Sequence, residues 1–349
     1  MNGRDLARWL RIVSANRLIN LGPDWKNTDK GGSTFGGDEF STEISVLEGA
    51  TRAAADMLTL SDTRADACPL FVELCAGLAS VSLTLQGGAK ARPPVSRMGN
   101  KRGYAAAILW ACGLRQGQGA RRYLWCEPDP GCSALLRAYG QPEVLREAAS
   151  IIRGWAKEDP RELWERLKAE GPILGAEAGD VARWAVVYGR SWKGDPRHGF
   201  MSPHIPPSPR KQGGDLRYGP DASAPELEQA PTFPAITVHP DAREVDPTGI
   251  PAGTVVFIDP PYVNTTGYGH DLPRADVVAM AQRWQAAGAL VCISEQEPIP
   301  ALMAEGWHAV DITSTRKGQK RTFSKQQAEW LTMSEAPKWT PAEQLGLFQ

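Results

Sequence analysis

What this 349-residue chain lacks narrows its range first. It has no long apolar run and no basic leader followed by a small-residue cleavage site. The expectation is therefore a cytoplasmic protein without a membrane span or an export signal. Its six cysteines (Cys68, Cys75, Cys112, Cys126, Cys132 and Cys292) show no Cys-x-x-Cys spacing, so they read as reduced core or loop thiols rather than a metal site or a disulfide framework. It also lacks a surplus of positive charge. With 39 Lys and Arg against 40 Asp and Glu it carries a net charge of −1, which argues against a basic nucleic-acid coat protein.

The bulk of the chain is ordinary for a globular protein: 42% of residues are hydrophobic and 23% charged, enough for one large α/β core with an added module or two. Charge is distributed unevenly, however. Residues 181–220 hold seven Lys and Arg against two Asp, and residues 314–325 hold five against no acid. Local basic surfaces on a neutral chain suit a protein that meets nucleic acid at chosen places.

The most informative stretch is Thr254 to Tyr262. The run Thr254, Val255, Val256, Phe257, Ile258 reads as a buried parallel strand, and Pro260 and Pro261 cannot extend it, so Asp259 falls at its carboxyl end. That edge of an open α/β sheet is where ligands bind. The residues suit one chemistry. The lone pair of an aromatic or amide NH2 group is delocalised, and two acceptors, the Asp259 carboxylate and the rigidly aimed Pro260 carbonyl, would draw the nitrogen toward a tetrahedral shape and free that pair. Tyr262 would stack on the ring that carries the amine. The plain alternative is a strand that ends in a Pro-Pro turn with a solvated aspartate.

Other segments read as parts of the same architecture. A strand from Leu70 to Leu74 leads through Cys75, Ala76 and Gly77 into a helix. Residues 93–109 contain a Gly99-Asn100-Lys101 turn that opens a helix. Tyr123 to Cys126 is a second strand, ending in Glu127 and Asp129; the latter can cap a helix starting near Gly131. One helical region is expected over Glu143 to Leu167, and Asp180 reads as the N-cap of another helix. Residues 190–250 are rich in Pro, Gly and basic residues. Beyond Tyr262 a helix is marked by Val277, Met280, Ala281 and Trp284, a strand by Ala289 to Ser294, and a helix by Pro298 to Glu305. Trp307 to Ile312 and Glu329 to Met333 then read as two strands around a basic segment.

The string Asp259-Pro260-Pro261-Tyr262, with FVELCAGLASVSL from Phe71 and PPVSRMGNKRGYAAAIL from Pro93, resembles the DPPY-type DNA amino-methyltransferases of the Dam-like class. Two departures stand out: Ala79 occupies a place that is usually Gly, and the glycine-lysine segment follows the first motif where Dam-like members have it before. The resemblance implies a Rossmann-like fold that uses S-adenosylmethionine (SAM), with a mixed sheet, a closing antiparallel hairpin and a loop-rich target-recognition insertion. It implies catalysis by Asp259, Pro260, Pro261 and Tyr262 on N6 of a flipped-out adenine. It also implies a cofactor site drawn from Phe71, Glu73, Cys75, Ala76, Gly77, Lys101, Glu127, Asp129 and Asp180. Double-stranded DNA would be met by Arg190, Lys193, Arg197, Arg210, Lys211 and Arg217, and by Arg316, Lys317, Lys320 and Arg321. A cognate endonuclease encoded separately is a further implied partner. N4 of cytosine as the acceptor, or a SAM- and DNA-binding module without catalysis, are the alternatives. The implied division is an accessory extension over 1–65, a catalytic domain over 66–189 and 251–335, an insertion over 190–250 and a tail over 336–349.

Overall fold

The structure, a computed structural model, describes residues 67–95, 97, 99–170, 177–201, 223–262, 270, 272–316 and 328–341. The expected extension over 1–65, with its helix from Glu43 to Leu60, lies outside the described residues.

Seven strands form one mixed, mostly parallel sheet: β1 (Phe71–Leu74), β2 (Tyr123–Cys126), β3 (Ile236–His239), β4 (Val255–Ile258), β5 (Leu290–Glu295), β6 (His308–Asp311) and β7 (Trp330–Met333). Their order is β3-β2-β1-β4-β5-β7-β6. The first five strands pair in parallel, and β7 runs antiparallel between β5 and β6. The architecture is α/β and compatible with a Rossmann-like fold. Chain order moves outward from β1 to β2 and β3, then returns to β4 on the other side. A switch point therefore lies between β1 and β4, where the connections leave in opposite directions; in open α/β sheets that is where ligands bind.

The period-2 alternation of the strands sorts the core into two layers. Phe71, Val255, Phe257 and Cys292 face one layer, and Val72, Leu74, Val256, Ile258, Val291 and Ile293 the other. All are buried, which explains why the strands read as continuous apolar runs. The first layer holds α1 (Ser80–Gly87), α2 (Ala105–Ala111), α3 (Pro130–Ala138), α4 (Pro142–Gly154), α5 (Pro160–Ala169), α6 (Ala178–Arg190) and α7 (Ala224–Glu228). The second holds α8 (Arg274–Ala286), which buries Val277, Met280, Ala281 and Trp284, and α9 (Pro300–Ala304), which buries Leu302.

Local chemistry sets the helix boundaries. The region expected as one helix over Glu143 to Leu167 is two, α4 and α5. Proline occupies the first turn of α5, and the Asp159 carboxylate accepts from the Arg161 and Glu162 amides at 2.9 and 3.0 Å, so a new helix starts there. The helix after Gly77 starts only at Ser80, because Ala79 takes the left-handed conformation at its N-cap. Glu177 is the N-cap of α6, which moves Asp180 into the first turn.

The span 190–250 is not wholly an insertion. Its second part contributes α7, packed against α4, and β3, hydrogen-bonded to β2. Phe233, just before β3, sits edge-on to Tyr123 at 4.7 Å and to Trp125 at 5.0 Å between ring centroids. Each such pair adds about 0.5–1.5 kcal/mol beyond the area it buries. As an edge strand, β3 is only half-buried, and it lacks the apolar continuity that marked the others.

Candidate active site

The carboxyl ends of β1, β2, β4 and β5 bring Cys75, Glu127, Asp259 and Glu295 to one edge. Because β7 is antiparallel, its start lies at that edge too, and it brings Glu329.

At the switch point, the Asp259 amide donates to the Leu74 carbonyl at 3.2 Å and the Ala76 amide to the Cys126 carbonyl at 2.8 Å, so the loops after β1 and β4 leave side by side. Cys75 (φ 64°), Gly77 (φ 55°) and Ala79 (φ 50°) all take left-handed backbone. For the two non-glycine residues this costs about 1–2 kcal/mol each, and such strain collects at ligand-holding loops. A Cβ built on Gly77 would meet nothing within 4 Å. Space is open above that glycine, and its φ excludes a side chain without strain.

Glu127 ties this loop down. Its Oε2 accepts from the Gly77 amide at 2.7 Å and its Oε1 from the Asp129 amide at 3.0 Å, with the Arg97 guanidinium 3.7 Å away. Burial pushes its carboxyl up to about 7, against the pull of Arg97. A carboxylate offers about four lone-pair positions, so two acceptor positions remain beside the amides. Asp129 is the N-cap of α3, accepting from the Gly131 and Cys132 amides at 3.0 Å and from the Tyr188 hydroxyl. Its capping alternative is the one the geometry displays.

Glu73 and Phe71 face inward. Phe71 is fully buried against Tyr123, with ring centroids at 6.4 Å. The Glu73 carboxylate accepts from the Ser82 amide at 2.5 Å, and thereby caps α1, whose own N-cap Ala79 has no side-chain acceptor. Burial pushes Glu73 up to about 8. Both residues build the floor under the loop.

At the other end, Asp259 gathers side chains. Lys101 lies in a 3-10 turn ahead of α2 and is 7% exposed, with its Nζ 3.0 Å from Asp259 Oδ1 and 3.6 Å from Glu329 Oε1. Ser294 Oγ donates to the same Asp259 oxygen at 2.9 Å. The Lys101 ammonium also sits 4.4 Å from the centre of the Tyr262 ring, whose hydroxyl donates to Glu329 Oε1 at 2.5 Å. Burial raises the Asp259 carboxyl, opposed by Lys101 and Ser294, and pushes Glu329 up to about 7. Pro260 is buried and Pro261 half-buried behind this cluster. Lys101, which the resemblance places among the cofactor residues, forms an ion pair with Asp259.

Asp180 is buried in α6, paired with Arg183 at 3.3 Å; both are 2% exposed. Arg190 is 4% exposed, so it drops out of the phosphate-facing set because its guanidinium is interior. Lys193 and Arg197 lie on the exposed loop after α6, where Arg197 pairs with Asp195 at 2.6 Å and Trp192 is 52% exposed. The Arg316 guanidinium lies 5.6 Å from the Tyr104 ring centre. Arg210, Lys211, Arg217, Lys317, Lys320 and Arg321 lie outside the described residues.

Sequence reasoning passed over Glu329, Ser294, Arg97 and Tyr188. The first two had a signal: a polar residue at the boundary of a buried strand, at the carboxyl edge of the sheet. Arg97 and Tyr188 meet Glu127 and Asp129 only through the fold. No model of a known protein family matches the chain, and no curated protein matches it.

Proposed function

We propose that the chain is a SAM-dependent methyltransferase acting on an exocyclic amine of DNA, with N6 of a flipped-out adenine as acceptor. The observation that carries this reading is the adjacency of two turns at the switch point. Asp259 and the strained Gly77 loop leave neighbouring strands, one suited to an amine and the other to a cofactor. The antiparallel β6–β7 pair beside β5 supports it further, since the resemblance implies such a closing hairpin. Among the described residues no helix is long and apolar enough to cross a membrane.

The residues present fit the cofactor. The open space over Gly77 admits a group that lies against backbone, and Glu127 retains acceptor positions for ribose hydroxyls at the end of β2. Bound SAM would supply a methyl group on a positively charged sulfur. The chain's own residues would do the rest. The Asp259 carboxylate and the Pro260 carbonyl accept the two amine hydrogens, hold the nitrogen in place and stabilise positive charge as it builds there. Tyr262 fixes the plane of the base. Asp259 need not be a strong base, because the amine becomes acidic only as its new bond forms. Lys193 and Arg197, with the basic residues of 202–222 and 317–327, would contact phosphates, and a base pulled from the stack would reach Asp259.

The test is transfer of a labelled methyl group from SAM to DNA, RNA or protein, followed by mass analysis of the nucleosides. N6-methyladenine is the expected product. N4-methylcytosine would move the acceptor to the alternative base, and SAM binding without transfer to any of the three would leave a binding module.

A further inference from the structure

We propose that Lys101 is the positioning counter-ion of Asp259, shared with Glu329, holding Oδ1 so that Oδ2 is presented to the acceptor amine. The inference rests on the reading of Asp259 given above. Its basis is geometric. A lysine this deeply buried needs a partner, and this one has two carboxylates from two strands at 3.0 and 3.6 Å. Both side-chain contacts to Asp259, from Lys101 Nζ and from Ser294 Oγ, fall on Oδ1. The remaining oxygen is the one an incoming N–H can use.

The charges around Asp259 make the counter-ion necessary. Glu73 and Cys75 face it from β1 and its loop, Glu295 from β5, Glu329 from the start of β7 and Tyr262 from its own turn. Each of these is neutral or negative, and Arg274, on α8, is taken up by Glu295. Burial favours a protonated Asp259, and Lys101 and Ser294 oppose it. Without that ammonium, burial would act on Asp259 with less opposition and weaken the negative charge that the developing ammonium of the substrate requires. Glu329 acts in the opposite sense. It draws the same ammonium away from Asp259, and Tyr262 anchors it in reach.

Two substitutions should therefore move one titration in opposite directions. With aspartate carboxyl carbons labelled in the full chain and Asp259→Asn used to assign the resonance, Lys101→Met should raise the Asp259 midpoint by about one unit or more. Glu329→Gln should lower it, and Lys101→Arg should leave it close to wild type. An unchanged midpoint in Lys101→Met, or a rise in Glu329→Gln, would overturn the proposal. If Lys101→Met does not fold, the sign of the Glu329→Gln shift decides. SAM affinity provides a separate check. It should stay within about twofold in Lys101→Met, whereas a large loss would assign the ammonium to the cofactor and overturn the proposal. Should the wild-type chain transfer no methyl group, the functional reading fails while the titration still decides the role of Lys101.

Discussion

Glu127 and Asp259 stand two strands apart on one edge, each with a cation beside it, yet they are held in different ways. Glu127 is fixed by backbone amides, those of Gly77 and Asp129, and itself fixes the loop that would carry the cofactor. Asp259 is held by side chains, Lys101 and Ser294, with Glu329 and Tyr262 behind them. Backbone contacts lock a loop into one shape and are indifferent to side-chain rotamers. The side-chain contacts to Asp259 hold one carboxylate oxygen and leave the other open. The difference fixes a whole loop at one half of the edge and a single carboxylate oxygen at the other.

The sharpest way to break this comparison is Asp259→Ala. Methyl transfer should fall by about a thousandfold or more, as expected when a group aimed at developing charge is removed, while SAM affinity measured by calorimetry stays nearly intact. An active variant would refute the division. Next comes Glu127→Ala, which removes the acceptor of the Gly77 amide. SAM affinity should drop by about 10- to 100-fold, the scale of lost charged hydrogen bonds, with the rate at saturating SAM largely kept. A lost rate at unchanged affinity would merge the two halves.

The floor beneath the loop predicts a pH effect. Folded Glu73 is raised from an ordinary 4.5 to about 8, so the native state binds its proton more tightly than the unfolded chain does. Its contribution to stability is therefore full below about 4.5 and lost as pH rises toward about 8, on the order of 5 kcal/mol for a shift of that size. Denaturant unfolding across that range should show the decline, and Glu73→Gln should flatten it. A profile unchanged by the substitution would show that Glu73 is not the source. Smaller still, Ala79→Gly should relieve a left-handed alanine and raise the unfolding midpoint by the equivalent of a few tenths to about 1 kcal/mol. A lower midpoint would mean that the buried methyl group matters more than the backbone strain. Lys193→Ala should change little except the salt dependence of DNA binding, reducing the log-log slope by about 0.9. An unchanged slope would place the phosphate contacts elsewhere.

The central strands were legible because each is a short apolar run ended by a residue that cannot continue it. Pro260 stops β4, and the Cys75–Gly77 turn stops β1. The edge strand β3 escaped because Ile236–His239 is half-exposed and alternates weakly. The break between α4 and α5 could have been read from Asp159 and Pro160. Asp180 and Arg190 were misjudged because polarity in a sequence says nothing of whether a partner waits inside: Arg183 holds Asp180, and Arg190 lies buried at the end of α6.

By itself, the sequence determined which residues end the central strands, and so which acids stand at the carboxyl edge of the sheet. That information is local: β-branched runs, fixed proline angles and turns that demand left-handed backbone. Only the tertiary structure decided the partners of those acids. Lys101, Asp259, Ser294 and Glu329 are far apart along the chain, and what joins them is strand order, with β4, β5 and the reversed β7 laid side by side. Charge pairing across such distances depends on which strands become neighbours, and no local pattern of residues encodes that.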